Sequence, residues 1–256
     1  MNFTLSIWQA LLIALWIGLV LSRFSVATLQ LRFTTLMTAL VVGLVMGDVP
    51  TALVAGVAIQ LALFNVGGAG GSASGEPAFA AAIMVPVVLS GGLNPYQSVV
   101  IALPIAVLGS YLYKARFKIN TSYMKAADIK AEELDEAGLT REIIVKPLLT
   151  SLAIYTVLML VVLYLGVPLL TLLGESLVQG RLGHVLDVVG RGLAAVGLAA
   201  GMVAMGKAKH LPFFFVGYVV AILLPGTSMV TFAILAGAIA FIYILASDAD
   251  ALKSSD

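Results

Sequence analysis

The chain has 256 residues, 61% of them hydrophobic and only 11% charged, and its mean hydropathy is +1.09. A soluble domain carries roughly 25% charged residues, so 14 basic and 13 acidic side chains leave too little polar surface to cover a water-soluble globule. That excludes a soluble enzyme, and the apolar content excludes a disordered chain. A net charge of +1 offers no footprint for nucleic acid. The absence of cysteine removes disulfide frameworks, thiolate metal sites and cysteine nucleophiles. The class that remains is an all-α polytopic membrane protein set in a lipid bilayer.

Charge is laid out in blocks. Between Arg32 and Lys114 only Asp48 and Glu76 are charged, whereas Lys114 to Lys146 holds seven basic and six acidic residues. The expected organisation is an N-terminal transmembrane block over 1–113, a charged segment over 114–146, a C-terminal transmembrane block over 147–246 and a polar tail over 247–256. The basic residues Lys114, Arg116, Lys118, Lys125, Lys130, Arg141 and Lys146 place the charged segment in the cytoplasm.

Taken in chain order, Phe3–Ser22 is long enough to cross the roughly 30 Å hydrocarbon layer. Met1–Ser22 lacks the basic start and small-residue cleavage site of a secretory signal, so a retained first helix is expected. The next apolar segments are short. Phe33–Met46, Thr51–Phe64 and Pro77–Ser90 have 14 residues each, which reach about 21 Å as helices. They are separated by Gly47-Asp48-Val49-Pro50, by Asn65 to Glu76 and by Gly91 to Pro95. Short, Gly/Pro-interrupted segments point to broken or re-entrant helices meeting at a transporter's binding site, with Asn65–Glu76 expected near mid-membrane. Helices running on through the glycines are the alternative. Ala126 to Glu136 reads as a solvated helix. Pro147–Leu165 reads as a spanning helix, and Gly166 to Arg181 as a stretch broken by Gly166, Pro168 and Gly174. Leu182–Gly206, Leu211–Leu224 and Ser228–Ala246 follow as apolar helices. One Gly-rich segment in each block is compatible with an internal inverted repeat.

Five of the twelve residues from Asn65 to Glu76 are glycine. Glycine lets backbone approach a ligand closely, and Asn65, Ser72, Ser74 and Glu76 add donors and acceptors, with Gln60 about a turn upstream of the run. An uncharged polyol such as a sugar needs many directional hydrogen bonds, and this lining suits one. The candidate substrate-binding residues are therefore Gln60, Asn65, Gly67, Gly68, Gly70, Gly71, Ser72, Ser74 and Glu76, together with Arg191. A glycine packing seam between helices is the plain alternative. No Gly-Lys-Ser/Thr closes the run, so it is not a phosphate-cradling loop. An acid within the membrane marks function by default. Glu76 also stands just before Pro77, where a carboxylate can cap a helix, and Asp48 has the same option. Arg191 lies four residues after Asp187, which makes an intrahelical pair sterically ready; otherwise it faces Glu76 or a ligand hydroxyl. His184 and His210 are isolated, so no metal site and no cofactor are expected. No catalytic constellation is present. The chain reads as a carrier whose chemistry, if any, comes from another chain.

Leu44-Val-Met-Gly-Asp48, Thr51-Ala-Leu-Val-Ala-Gly56, Asn65-Val-Gly-Gly, Gly75-Glu76-Pro77-Ala-Phe-Ala80 and Lys209-His-Leu-Pro-Phe-Phe-Phe-Val-Gly-Tyr218 together resemble the mannose/fructose/sorbose-type IIC subunit of the bacterial sugar phosphotransferase system. The likeness extends over nearly the whole chain. It implies a multi-pass permease subunit of the bacterial inner membrane that binds and translocates a hexose or amino sugar. It also implies a membrane partner IID, several copies of each subunit in the complex, and cytoplasmic IIB and IIA phosphocarriers, with IIB phosphorylating the sugar as it is released. The family's sugar site matches the segment from Gln60 to Glu76. The chain departs from the pattern at Gln60, where relatives often carry Glu, at Gly75-Glu76, where they often carry Ala-Pro-Asp, and at Arg191, where small residues are usual. The competing readings are a stand-alone ion- or proton-coupled secondary transporter, leaning on Glu76, Asp48 or Arg191, and an intramembrane enzyme or scaffold.

Overall fold

The computed structural model describes residues 5–22, 30–64, 75–178, 180–207 and 210–253. Among the described residues all regular structure is helical: α1 Ile7–Ser22, α2 Thr35–Met46, α3 Val49–Ala62, α4 Pro77–Leu89, α5 Pro95–Thr121 and α6 Met124–Glu132. A continuous α7 covers Glu136–Val178, followed by α8 Arg181–Met205, α9 Leu211–Leu223 and α10 Met229–Lys253. Packing divides the chain into two units, Met1–Gly201 and Met202–Asp256. The charged segment 114–146 is built from helix ends, the last turns of α5, all of α6 and the start of α7.

The short elements are short in three dimensions. α2, α3 and α4 have 12, 14 and 13 residues, about 18–21 Å each, less than the roughly 30 Å of hydrocarbon. Their ends are chemically marked. A reciprocal capping box opens α1, with the Gln9 N–H donating to Ser6 Oγ at 3.2 Å and the Ser6 N–H to Gln9 Oε1 at 3.0 Å. Gly47 ends α2 at φ +86°, a left-handed conformation that glycine enters without a Cβ penalty. Asp48 then caps α3, accepting the Thr51 N–H at 3.1 Å. Of the two readings for Asp48, the structure gives the cap.

Helix α4 is the core of the first unit. It is buried from Pro77 through Val88 and packs against α2, α3, α5 and the outer part of α7. A helix apolar all round needs such enclosure. Its neighbours approach closely because small residues face one another: a Cβ on Gly56 would run into Ala39 Cβ, and one on Gly43 would lie 2.8 Å from Ala52 Cβ. Helix α1 lies along α7, with Gly18 against Thr156 and the Leu152 carbonyl. Trp16 Nε1 donates to Thr38 Oγ1 at 3.2 Å, and Tyr155 Oη donates to the Leu112 carbonyl at 3.0 Å, fastening α1 to α2 and α7 to α5.

The breaks expected at Gly166, Pro168 and Gly174 do not occur, because α7 runs unbroken from Glu136 to Val178. It contains two π-turns, Arg141–Val145 and Val162–Gly166, each followed at the second residue by proline, Pro147 and Pro168. Proline has no N–H to give the carbonyl four residues back, and its ring crowds that carbonyl. Widening the preceding turn absorbs both problems without ending the helix. At its N-terminal end Asp135 caps α7, and the Gly138 N–H that it accepts at 2.8 Å holds its carboxyl below the ordinary range.

Within the first unit helix α8 packs through glycines: Gly190 lies on the Tyr96 carbonyl, Gly197 on the Leu61 carbonyl and Gly201 on the Phe64 ring. In the second unit α9 and α10 are exposed along their described faces, with Val216, Ile222, Met229 and Ile234 among the exposed side chains.

Close packing at Gly56 makes a testable contrast. Gly56→Ala should destabilise the detergent-purified protein by about 1–3 kcal/mol through overpacking against Ala39. Gly237→Ala, built into open space, should leave stability unchanged or slightly raised by helix propensity. Thermal unfolding of both variants in one detergent checks this; equal shifts would refute the packing account.

Candidate functional site

Helix α4 begins inside the protein, and the residues that position its start form the site. Glu76 occupies the N-cap position of α4 but makes no side-chain cap bond. Its carboxylate turns to Arg32 instead: Arg32 Nε donates to Glu76 Oε2 at 2.9 Å, and an Arg32 terminal amino group donates to Oε1. This is a bidentate, charge-assisted pair. Both partners are out of solvent, with Glu76 1% and Arg32 2% exposed. The guanidinium also lies over the Phe33 ring, 5.0 Å from its centroid.

Backbone contacts hold the pair in register. Pro77 at the first helical position has no N–H to satisfy, and the next one, on Ala78, donates to the Arg32 carbonyl at 3.1 Å. The Glu76 N–H donates to the Ala106 carbonyl of α5 at 2.8 Å. Gly109 faces the same point: a Cβ there would lie 2.8 Å from Glu76 Cβ and 3.1 Å from the Phe79 ring. Lys114, first charge of the polar segment, is five residues further along α5, about 8 Å. The pair therefore sits closer to the charged end of α5 than to Pro95.

Gln60 works at the other end of the glycine-rich segment. Its Oε1 accepts the Thr35 N–H at 2.7 Å and Thr35 Oγ1–H at 2.9 Å, while its Nε2 donates to the Phe33 carbonyl at 3.1 Å. Thr34 offers α2 no side-chain cap, so Gln60 caps that helix from its neighbour. Gln60 and the Arg32–Glu76 pair thus both grip the stretch 32–35, from the two sides of the glycine run. Asn65, Gly67, Gly68, Gly70, Gly71, Ser72 and Ser74 lie outside the described residues.

Arg191 is elsewhere. Its Nε donates to Asp187 Oδ2 at 2.8 Å, its guanidinium lies 3.9 Å over the Tyr96 ring, and Asp187 Oδ1 accepts Asn94 Nδ2 at 3.0 Å. Arg191 thus makes the intrahelical pair that its spacing from Asp187 allows. Tyr96 and Ala106 are ten residues apart on α5, about 15 Å, so Arg191 and Glu76 are not brought together. Arg32 is the residue that sequence reasoning missed. The available signal was physical: an acid inside an apolar bundle needs a cation, and Arg32 bounds the uncharged stretch in which Glu76 lies.

The comparisons agree on one family. The family model described as the PTS system sorbose-specific IIC component matches residues 7–242. The N-acetylgalactosamine permease IIC component 1 of Escherichia coli K12 is 25% identical over 203 residues, covering 79% of this chain and 75% of that protein. The sorbose-specific EIIC component of Lacticaseibacillus casei is 26% identical over 220 residues, covering 82% and 76%. Among solved structures, one described as a membrane protein superposes with a TM-score of 0.76 at 20% identity, over 96% of this chain and 97% of that one. A cryo-EM structure of the mannose transporter ManYZ with microcin E492 gives 0.56 at 20% identity, over 94% and 96%; both show the all-helical membrane fold. With the match spanning almost its whole length, the chain belongs to the family of PTS system sorbose-specific IIC components.

Proposed function

We propose that this IIC subunit holds its sugar where the segment from Gln60 to Glu76 meets the buried Arg32–Glu76 pair, and releases it toward the cytoplasm for phosphorylation. The observation that carries the reading is the pair itself. Burying two ions exacts several kcal/mol of desolvation each, which a bidentate contact offsets only in part, and ionisable groups inside a membrane bundle mark substrate paths. Gln60 on one flank and Glu76 on the other are both engaged with the stretch 32–35. In sequence they flank the glycine-rich run, whose Asn65, Ser72 and Ser74 would offer partners to sugar hydroxyls and whose glycines would allow close backbone approach. Both Glu76 oxygens bond to Arg32, so Glu76 serves the sugar through its remaining lone pairs and by aiming Arg32. Arg191, tied to Asp187 and Tyr96, is left out of this site.

The depth of the pair, about 8 Å along α5 from Lys114, supports hand-over on the cytoplasmic side, where a phosphorylated IIB subunit would act and be recharged by IIA. The relatives' names, N-acetylgalactosamine, sorbose and mannose, support a hexose or amino sugar as substrate class. The ManYZ complex supports a second membrane subunit, IID, as partner, in an inner-membrane assembly with several copies of each chain. Membership of the IIC family sets the stand-alone ion-coupled reading aside.

Two outcomes are expected. Arg32→Met or Glu76→Gln alone should destabilise the complex by about 3–5 kcal/mol, because each leaves an unpaired buried polar or charged group. The double variant Arg32→Met/Glu76→Met should recover assembly, checked by size, yet bind sugar about ten- to a hundredfold more weakly, the loss of roughly 1.5–3 kcal/mol of charge-assisted bonding. A double variant that assembles and binds sugar normally would reduce the pair to a structural clasp. Separately, vesicles holding this chain alone should yield no sugar phosphate when supplied with phosphorylated IIB. Turnover should appear only when IID is co-reconstituted.

A further inference from the structure

We infer that Gln60 is a positioning residue for Arg32: its amide holds a backbone acceptor and a backbone donor of the stretch that delivers the guanidinium to Glu76, a task that a carboxylate at the same place cannot do. The inference rests on the sugar site proposed above, in which the Arg32–Glu76 pair meets the substrate.

The chain changes course just before α2. The N–H groups of Phe33 and Thr34 donate back to the Gln30 and Leu31 carbonyls at 3.1 Å each, closing a turn, and Thr34 is then extended at φ −106° and ψ 93°. Two backbone groups at this junction have no partner within α2: the carbonyl of Phe33, which precedes the helix, and the N–H of Thr35 in its first turn. Gln60 meets both, accepting the Thr35 N–H at 2.7 Å and donating from Nε2 to the Phe33 carbonyl at 3.1 Å. A backbone N–H can only donate and a carbonyl can only accept, so the amide has one orientation, and position 60 has to present an acceptor and a donor together. The hydroxyl of the fully buried Thr35 completes the grip, 2.8 Å from the Gly56 carbonyl and 2.9 Å from Gln60 Oε1.

Arg32 is next in the chain to this anchor. Its carbonyl accepts the Ala78 N–H at 3.1 Å, and its guanidinium crosses 5.0 Å over the ring of Phe33, the residue that Gln60 holds, to end on Glu76. Fixing Phe33 on one side and the Arg32 carbonyl on the other sets the course of the side chain between them. The chemistry at position 60 therefore decides whether Arg32 arrives. A protonated glutamate offers a donor and an acceptor in nearly the shape of glutamine, whereas an ionised one only accepts. The ionised form turns a lone pair on the Phe33 carbonyl and adds a second anion at the junction that carries Arg32. Few other titratable groups stand nearby. Among the described residues α2 and α3 carry none, and Glu76 is the one at the start of α4. Asp48, the cap of α3, is twelve residues from Gln60, about 18 Å. On α5, Tyr96 lies near one end and Tyr111 and the basic residues from Lys114 toward the other; on α8, Asp187 and Arg191 pair with each other.

The test measures binding of mannose, sorbose and N-acetylgalactosamine by the full chain assembled with IID, from about pH 5 to about pH 8, with assembly checked by size. Relative to the unmodified chain at each pH, Gln60→Glu should bind equally at the acid end. At the alkaline end it should bind about tenfold more weakly, the loss of one hydrogen bond to a buried group. Gln60→Met, similar in volume but unable to make these bonds, should bind about tenfold more weakly at every pH. In the Arg32→Met/Glu76→Met background the same Gln60→Met change should cost nothing further, because Gln60 acts through Arg32. If Gln60→Met does not assemble, the pH profile of Gln60→Glu decides alone. A Gln60→Glu profile parallel to that of the unmodified chain would overturn the positioning role and leave the sugar site standing. So would an equal cost of Gln60→Met in both backgrounds, which would make Gln60 a direct sugar ligand. Normal binding by Arg32→Met/Glu76→Met would overturn the site itself, and this role with it.

Discussion

The bidentate contact between Arg32 and Glu76 is the constraint around which the first unit is arranged. Two ions removed from water inside an apolar bundle are tolerable only as close, well-aligned partners, so the segment carrying Arg32 and the start of α4 have to meet. The surrounding sequence accommodates that meeting in detail. Pro77 removes a backbone donor that would have had no acceptor, the Arg32 carbonyl takes the next one from Ala78, and the Ala106 carbonyl takes the N–H of Glu76. Gly109 leaves room on α5 for the Glu76 side chain. The position of α4 then sets where its neighbours α2, α3 and α5 pack.

Packing around that centre follows membrane rules. Lipid is as apolar as leucine, so helices gain little from hiding apolar surface from it, and close van der Waals approach decides which faces associate. The seams of the first unit are accordingly made of small residues: Gly43 and Gly56 against Ala52 and Ala39, Gly18 against Thr156, and Gly190, Gly197 and Gly201 along α8. Each seam is supplemented by a few polar ties, such as Trp16 to Thr38 and Tyr155 to the Leu112 carbonyl. The two prolines of α7 are absorbed by π-turns, so that helix crosses without a break.

The same economy of polar groups separates the proposed sugar site from the other intramembrane charges. Arg191 and Asp187 neutralise one another on α8 and tie it, through Asn94 and Tyr96, to the turn before α5. Asp48 is spent on a helix cap. Among the described ion pairs, only Arg32–Glu76 includes a residue that ends the glycine-rich run in sequence, and it lies toward the Lys114 end of α5.

The class, the charged segment and the short helices were legible from sequence because each rests on local information. Hydropathy reports the membrane, runs of glycine and proline report helix ends, and the boundaries of α2, α3, α4, α8 and α9 fall within two residues of those read from the chain. The family was legible too, through motifs spread along the chain. What pairs with Glu76 was not, because Arg32 is 44 positions away and only the packing of α4 between α2 and α5 brings the two together. Gly166 and Pro168 misled for a related reason: locally they read as a break, but the chain can widen one turn instead, and whether it does is decided by the neighbours that hold the helix straight. Gln60 shows the same division. Its place before the glycine run could be read from the sequence, whereas its use as a cap for α2 depends on two helices lying side by side, a fact that no local pattern encodes.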